Sequence, residues 1–525
     1  MTHQHDADAM RDALARTPNW ARVRGALDDE TVSSILNEAA KVAETVVSPL
    51  DVIADRVGAQ FADGKVRVPS EYHASFDALS EGGWLGLEQA EDFGGMGMPL
   101  TMFAAANPLF ERSCPAFMMS VGGTRSAALL LAEWAEPDLR DDWVPALIAG
   151  ERCATICISE PGAGSDVGRI RTRATQGTDG SWAVSGQKIW ISFGDHDLRE
   201  RIGHCLLART GDAPGTRGLS LFLVERGPGV RCDRIEEKMG LHGSPTCALS
   251  FEGAAARLIG EEGRGLAQLF TMIRHMRLTV ATQGLGLVLR SYDIAAQHAQ
   301  DRQQGGNPKL PPVPIIEHPD VRRQLMAMKS RIDLYRLALL ETATAADLTE
   351  QDPDLGRFCA WMLPLVKTFG AELGFETAQQ AIMVLGGAGY TRDYPVEQAL
   401  RDSRVFAIYE GTTGMQAQDF LLRQTLGDGG AALGVFLTRA RADCAAHSAQ
   451  LAIIESFASF MDGIKNDPDK TRHLWMADAA MRAGWVAVQA WLSVRIADSA
   501  EARFFMASAE ADLALYIAKA QCPMH

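Results

Sequence analysis

The 525-residue chain contains no C-x-x-C pair among its nine cysteines. Cys153, Cys157, Cys232 and Cys247 have no companion His-x3-5-His, so neither a zinc site nor a disulfide scaffold is indicated, and the thiols read as reduced. No uninterrupted apolar run approaches the roughly 18 residues that would span a bilayer. The opening "MTHQHDADAMRDAL" lacks a basic segment followed by an apolar one. These absences predict a cytoplasmic protein with no integral membrane segment. An excess of positive charge is missing as well: 51 Lys and Arg stand against 66 Asp and Glu, a formal net charge of −15. A general attraction to nucleic acid is therefore not expected, and an anionic ligand must be held by local groups. The G-x-G-x-x-G fingerprint is absent. "GLGLVL" (Gly284 to Leu289) lacks the third glycine and falls within a helical period, which disfavours a Rossmann dehydrogenase. No internal repeat of solenoid period is visible.

With 47% hydrophobic and 22% charged residues, the chain reads as a globular protein long enough for several domains. From Asp28 to Pro49 the apolar residues fall at Val32, Ile35, Leu36, Ala39, Val42, Ala43 and Val46, a helical spacing behind acidic residues and ahead of a proline. Helix-compatible stretches recur to about Gly150, interrupted by "DFGGMGMP" (Asp92 to Pro99). Between Thr155 and Phe251 the texture changes to short β-branched and aromatic runs, "TICIS", "WAVSGQKIWIS" and "GLSLFLVE", separated by Gly, Pro, Ser and Asp clusters, as in a small all-β domain. The helical period returns at Gly265, breaks in the Gly- and Pro-rich "QQGGNPKLPPVPIIEHP" (Gln303 to Pro319), and meets a linker, "GDGGAALG", at Gly427 to Gly434. The expected class is α+β: an N-terminal helical domain over 1–150, a central β domain over 151–264, a helical bundle over 265–426 and a helical extension over 427–525.

Two segments carry chemistry. In "CISEPGAGSDVGRIRT" (Cys157 to Thr172) a strand-like run enters a loop where Gly162 and Gly164 let backbone amides approach a phosphate or a flat ring, while Ser165 offers a hydroxyl donor. The same residues also suit a tight turn ended by a Ser/Asp cap. In "RVFAIYEGTTGMQAQ" (Arg404 to Gln418) a single carboxylate, Glu410, stands between an apolar-aromatic run and a Gly-Thr-Thr-Gly turn signal. Alone, a glutamate beside Gly-Thr-Thr is more commonly an exposed turn residue or a helix cap.

The conjunction is more specific. "WLGLEQAEDFGGMGMP", "CISEPGAGSD", "GQKIWIS", "EEKMGLHGSPT" and "IMVLGGAGYTRDYPVEQALRDSRVFAIYEGTTGMQAQ" occur in that order, and in this the chain resembles the acyl-CoA dehydrogenase family of flavoproteins over nearly its whole length. "HGSPT", the insertion before "PIIEHPDVRR" and the C-terminal extension resemble the branch containing 3-methylmercaptopropionyl-CoA dehydrogenases and extended long-chain acyl-CoA dehydrogenases. The resemblance implies a central β-barrel between helical domains and FAD as cofactor. It implies Ile156, Ile158 and Ser159 along the flavin edge, Gly164 and Ser165 in a phosphate and substrate-side loop, and Trp190 and Ser192 against the isoalloxazine. Arg302 matches an arginine that reaches the FAD pyrophosphate of a neighbouring subunit, which implies a homodimer or homotetramer. Gly386 and Gly387 match the ADP-facing backbone, with Thr412 toward the adenosine half. Arg277, Tyr409 and Ser165 match substrate-side positions. The chain departs from the family pattern at Met383, Gln304 and Gly305.

By the same resemblance Glu410 is the base that removes the α-proton of an acyl-CoA thioester. Its backbone amide and a ribityl hydroxyl receive the thioester oxygen, a β-hydride passes to flavin N5, a trans-2-enoyl-CoA leaves, and electron-transferring flavoprotein takes the electrons. Apolar neighbours should raise the Glu410 pKa. The same base and oxyanion arrangement would also serve a non-redox acyl-CoA lyase or hydratase that retains FAD, an acyl-CoA oxidase, or a silent homologue. The acyl group, a short thioether acid or a long fatty chain, stays open.

Overall fold

The computed structural model describes residues 3–522. The elements run mainly helical, then seven strands between Cys153 and Ile259, then helical to Gln521. The described residues form two units. One comprises Val42–Met98 and Ser113–Met276; the other comprises the chain up to Lys41, Pro99–Arg112 and everything from Arg277 on.

The first unit is built on β1 (Cys153–Cys157), β2 (Arg173–Gln176), β3 (Trp182–Ser192), β4 (Ile202–Arg209), β5 (Leu219–Glu225), β6 (Val230–Ile235) and β7 (Thr246–Ile259). Neighbouring strands β4, β2, β3, β7 and β5 close on themselves, because β5 pairs β4 from Gly203↔Glu225 to Arg209↔Leu219. β1 adds to β4 and β6 to β7. Closure leaves few unpaired edges. "IGHCLLAR" does not alternate because both faces of β4 are covered. Leu206 and Ala208 join Phe222, Val224, Leu249 and Phe251 in one core, while Cys205 and Leu207 join Leu221, Leu223, Trp143 and Leu131 in another, supplied by the helices Pro115–Trp134 and Pro137–Ile148. The segment before Gly150, expected to be helix-compatible, also contains a hairpin pairing Gln60–Ala62 with Lys65–Arg67. Its Asp63-Gly64 turn has φ of 53° and 71°, the left-handed pair that a two-residue hairpin needs.

In the second unit α1 (Gly265–Asp301, from Arg277 on), α2 (Pro319–Asp347) and α3 (Pro353–Leu385) form the bundle. α3 starts at Pro353 behind Asp352, whose carboxylate caps the amides of Asp354 and Leu355, and ends at Gly386 with φ 62°. The "GLGLVL" glycines serve helix crossing: a Cβ on Gly284 would lie 2.2 Å from the Gly370 carbonyl oxygen, so α1 and α3 touch backbone to backbone. After α4 (Thr413–Gln418) come α5 (Ala431–Cys444), α6 (Ser448–Lys465), α7 (Lys470–Ser493) and α8 (Ala500–Gln521). This extension is packed onto the bundle. Trp485 of α7 stacks on Phe369 of α3 with centroids 4.7 Å apart, and Phe436 of α5 stacks on Trp361 at 4.6 Å. Glu341 of α2, wholly buried, pairs with Arg439 at 2.6 Å and Arg495 at 2.6 Å.

Candidate active site

The residues singled out in the sequence fall into two groups, one in each unit. In the β unit, β1 places Ile156 at its end, with Ile158 and Ser159 following, all half-buried. Ser159 is tied to β3 by the Ile189 amide, which donates to its carbonyl at 2.9 Å, and Thr155 donates to the Ser192 carbonyl at 2.7 Å. These bonds bring the 156–159 edge beside Trp190 and Ser192. β3 carries a bulge against β7 between Lys188 and Ile191, where Trp190 takes φ of 64°. A bulge re-aims a side chain. Here it turns a tryptophan outward, 59% exposed, on a strand whose neighbours Lys188 and Ile191 are buried.

The loop after β1 is pinned by a pair the sequence reading passed over. Lys188, completely buried, holds Glu160 at 2.8 Å and donates to the Ile158 carbonyl at 2.9 Å. Glu160 also accepts the amides of Arg171 at 2.7 Å and Thr172 at 3.1 Å. Burial pushes the Glu160 carboxyl up, but Lys188 and these bonds more than reverse it and hold it below its ordinary value. With Glu160 and Ala163 bridged to each other, Gly162, Gly164 and Ser165 stand exposed at the tip. A Cβ built on Gly162 or Gly164 would meet nothing within 4 Å, so the backbone there is open to a ligand.

In the helical unit, Glu410 has φ of 53°, a left-handed backbone that a glutamate rarely adopts. The turn is fixed from several sides. Gln416 donates to the Glu410 carbonyl at 2.8 Å, Lys367 of α3 donates to the Gly411 carbonyl at 2.7 Å, and Thr412 caps α4 by accepting the Met415 amide at 3.4 Å. Among the described residues, neither the Glu410 carboxylate nor its amide makes an intrachain hydrogen bond. Burial raises the pKa of this carboxyl above the ordinary glutamate value, opposed by the charges of Lys367 and Arg277. Those cations are committed elsewhere. Arg277 pairs with Asp419 at 2.6 Å, and among the described residues its buried Nε has no partner. Lys367, itself buried, is pressed down to about 7 by desolvation against the pull of Glu410. Asp419 opens a wide π-helical turn, Asp419–Thr425, and also accepts from Gln424 at 3.1 Å.

Tyr409 donates its hydroxyl to Gln283 of α1 and stacks on Phe406 at 5.8 Å, which sets the aromatic side of the turn. Arg302 does not join this group: it lies beyond the end of α1, about 37 Å from Arg277 along the helix axis. Gly386 and Gly387 lie exposed past α3, where an added Cβ would again meet nothing within 4 Å. Lys367, Asp419 and Gln416 were not singled out in the sequence. Only Lys367 left a signal there, as the one charge in the apolar "WMLPLVKTFG".

Three family models cover the chain in order: the acyl-CoA dehydrogenase N-terminal domain over residues 30–151, the middle domain over 155–254 and the C-terminal domain over 263–423. The chain is 35% identical over 457 residues to a 3-methylmercaptopropionyl-CoA dehydrogenase of Ruegeria pomeroyi, an alignment covering 82% of this chain and 77% of that protein. The chain belongs to the acyl-CoA dehydrogenase family. It is an enzyme of the oxidoreductases acting on CH–CH groups. A second relative, the broad-specificity linear acyl-CoA dehydrogenase FadE5 of Mycobacterium tuberculosis, is 37% identical over 78% of this chain and 72% of its own. The crystal structure of Caenorhabditis elegans ACDH-11 in complex with C11-CoA superposes with a TM-score of 0.79 at 21% identity, covering 96% of this chain and 89% of that one. This last likeness shows the fold of an acyl-CoA dehydrogenase, and its cover includes the extension. Among the described residues of this acyl-CoA dehydrogenase no helix is long and apolar enough to cross a membrane, and no cluster of His, Cys, Asp and Glu could hold a metal ion.

Proposed function

We propose that this acyl-CoA dehydrogenase oxidises an acyl-CoA thioester to a trans-2-enoyl-CoA with Glu410 as the base for the α-proton. The observation that carries the reading is the Glu410 carboxyl. It is desolvated, raised in pKa, free of hydrogen bonds among the described residues and set beside two cations that are each bonded to another acceptor. Such a group is basic enough to take a proton and, among the described residues, has no hydrogen bond to release before doing so. The unbonded Glu410 amide is the donor suited to the thioester oxygen, where negative charge develops as the α-proton leaves. Arg277 and Lys367 then stabilise the carboxylate form between turnovers.

FAD, when bound, supplies the two-electron acceptor for the β-hydride. The residues fit it. In the β unit the open glycine loop, the outward Trp190 and the edge formed by Ile156, Ile158, Ser159 and Ser192 suit a flat ring and its phosphate, with Ser165 also on the substrate side. In the helical unit the open Gly386 and Gly387 suit the ADP portion, with Thr412 beside it. Arg302, remote from the base in its own chain, fits service to a neighbouring subunit's FAD, in a homodimer or homotetramer. Tyr409 lines the substrate side next to Glu410, and electron-transferring flavoprotein is the acceptor of the electrons.

The test is anaerobic visible spectroscopy of the FAD-loaded protein titrated with acyl-CoAs from 3-methylmercaptopropionyl to palmitoyl. Bleaching by one chain class, with trans-2-enoyl-CoA recovered, supports the reading and names the substrate class. A yellow protein that every member leaves unbleached overturns it in favour of non-redox chemistry, and rapid peroxide formation in air replaces the flavoprotein partner with oxygen.

A further inference from the structure

We propose that Arg482, in the C-terminal extension, is a positioning residue for the Glu410–Thr413 turn and acts through Glu372. Arg482 of α7 lays its guanidinium as a fork on Glu372 of α3, with contacts of 2.9 and 3.0 Å. The Glu372 oxygen that takes the second of these also accepts the hydroxyl of Thr413 at 3.3 Å. Thr413 is the first residue of α4, three positions after Glu410. One turn and a half earlier on α3, Lys367 holds the Gly411 carbonyl. The bundle thus grips the turn at two successive points, and the second grip is set by an arginine from outside the three family domains, which end at residue 423.

The turn has reason to need it. A non-glycine residue at positive φ is strained and persists only where its surroundings over-determine it. Glu410 is such a residue. Arg482 is itself fixed: its Nε donates to Asp478 at 2.9 Å, and its guanidinium lies 6.0 Å from the centroid of the Phe369 ring, on which Trp485 of the same helix also stacks. A planar fork transmits that fixity to both Glu372 oxygens, which a single ammonium point charge does not. The extension therefore has a role at the base without touching substrate.

The catalytic half of this inference rests on Glu410 being the base, so the experiment carries two readouts. Full-length, FAD-loaded Arg482→Gln, Arg482→Lys, Thr413→Val and the Arg482→Gln/Thr413→Val double variant are compared with wild type. The readouts are the anaerobic flavin-reduction rate with the acyl-CoA that bleaches wild type, and hydrogen exchange of the peptide spanning 410–416. Arg495→Gln, which cuts the extension's ion pair with Glu341, is the control for general loosening. The expected result for Arg482→Gln is a reduction rate lower by about tenfold or more, since small misplacements of reacting groups are costly, with faster exchange in 410–416. Arg482→Lys should recover part of the loss, and the double variant should be no slower than the slower single one. Arg495→Gln should lower Tm with turn exchange and reduction rate near wild type. Wild-type exchange and rate in Arg482→Gln would overturn the proposal, as would an equal slowing by Arg495→Gln at matched loss of Tm. If no acyl-CoA reduces wild type, the proposed reaction fails, and turn exchange alone decides the positioning role.

Discussion

Two desolvated glutamates, one in each unit, separate what burial does from what a partner does. Glu88, with a side chain 3% exposed, accepts from the Arg125 guanidinium, and His275 Nε2 lies 3.0 Å away, its Nδ1 in turn 2.8 Å from the Ser126 hydroxyl. Burial pushes its carboxyl up, yet Arg125 and His275 more than reverse that and hold it at about 2. At Glu410 burial also acts upward, and it prevails: the two cations that oppose it are bonded to the Gly411 carbonyl and to Asp419. Each site sets a Glu beside an Arg and a second basic side chain, His275 at Glu88 and Lys367 at Glu410. Contact is the difference. A carboxylate that has spent its lone pairs on its cations is a structural tie, whereas one that feels cations without touching them keeps its lone pairs for a proton.

Exchanging each acid for its amide should break the comparison open, and the larger effect belongs to Glu410. Glu410→Gln is expected to lower the rate of flavin reduction by about a thousandfold, the scale of a lost general base, with FAD still bound and no loss of Tm. Glu88→Gln is expected to do the reverse. It leaves Arg125 buried against a neutral group, at a cost of about 3 kcal/mol or more read in thermal unfolding, while the folded fraction reduces its flavin at close to the wild-type rate. Equal kinetic losses in both variants would mean that contact does not separate the two roles.

Much of this was legible in the sequence, and what was not had a common cause. The α+β plan and the β region were visible because residues 155–251 change periodicity, and the candidate base was visible because one acid interrupts an apolar-aromatic run before Gly-Thr-Thr-Gly. The Asp63-Gly64 hairpin was missed although its dipeptide is a turn signal, since the flanking strands have three residues each, too short to show a period. Trp190's outward aim follows from a register shift against β7, a property of two strands that one strand's pattern does not hold. Lys367, Asp419 and Glu372 were silent for the same reason: each acquires its meaning from a partner more than forty positions away or on another turn of chain. Lone charges inside apolar helices, such as Lys367, are the one trace such partnerships leave.

Acid and base should move the two units' contributions to stability in opposite directions. The folded pKa of Glu88, about 2, lies below its ordinary value of 4.5, so its contribution is present above 4.5 and lost as pH falls toward 2. That amounts to about 3 kcal/mol. For Glu410 the folded value is raised, so the folded state binds its proton more tightly than the unfolded chain does. The contribution is present below the ordinary glutamate value and disappears as pH rises through the raised one. Tm measured against pH for wild type minus Glu410→Gln should therefore be negative at neutral pH and shrink toward zero in acid, and the Glu88→Gln difference should be positive at neutral pH and shrink in acid. Matching signs would show that one assignment of pKa direction is wrong.

The smallest expected effect sharpens the point about contact most. Lys367 opposes the upward shift at Glu410 through space while its ammonium is bonded to Gly411. Lys367→Met removes the charge and the bond together, so by itself it confounds field with geometry. Lys367→Arg keeps a charge at every working pH and retains a donor for the carbonyl. If the field matters, the acid limb of the pH profile for flavin reduction should move up by about one pH unit in Lys367→Met and stay near its wild-type position in Lys367→Arg. Wild type should differ from Lys367→Arg only above about pH 7, where burial strips the lysine of its proton and Glu410 loses one of its two cations. A limb that stays in place in Lys367→Met, with a uniformly lower rate, would make Lys367 a tie for the Gly411 carbonyl alone and leave Arg277 as the cation that sets the Glu410 proton affinity.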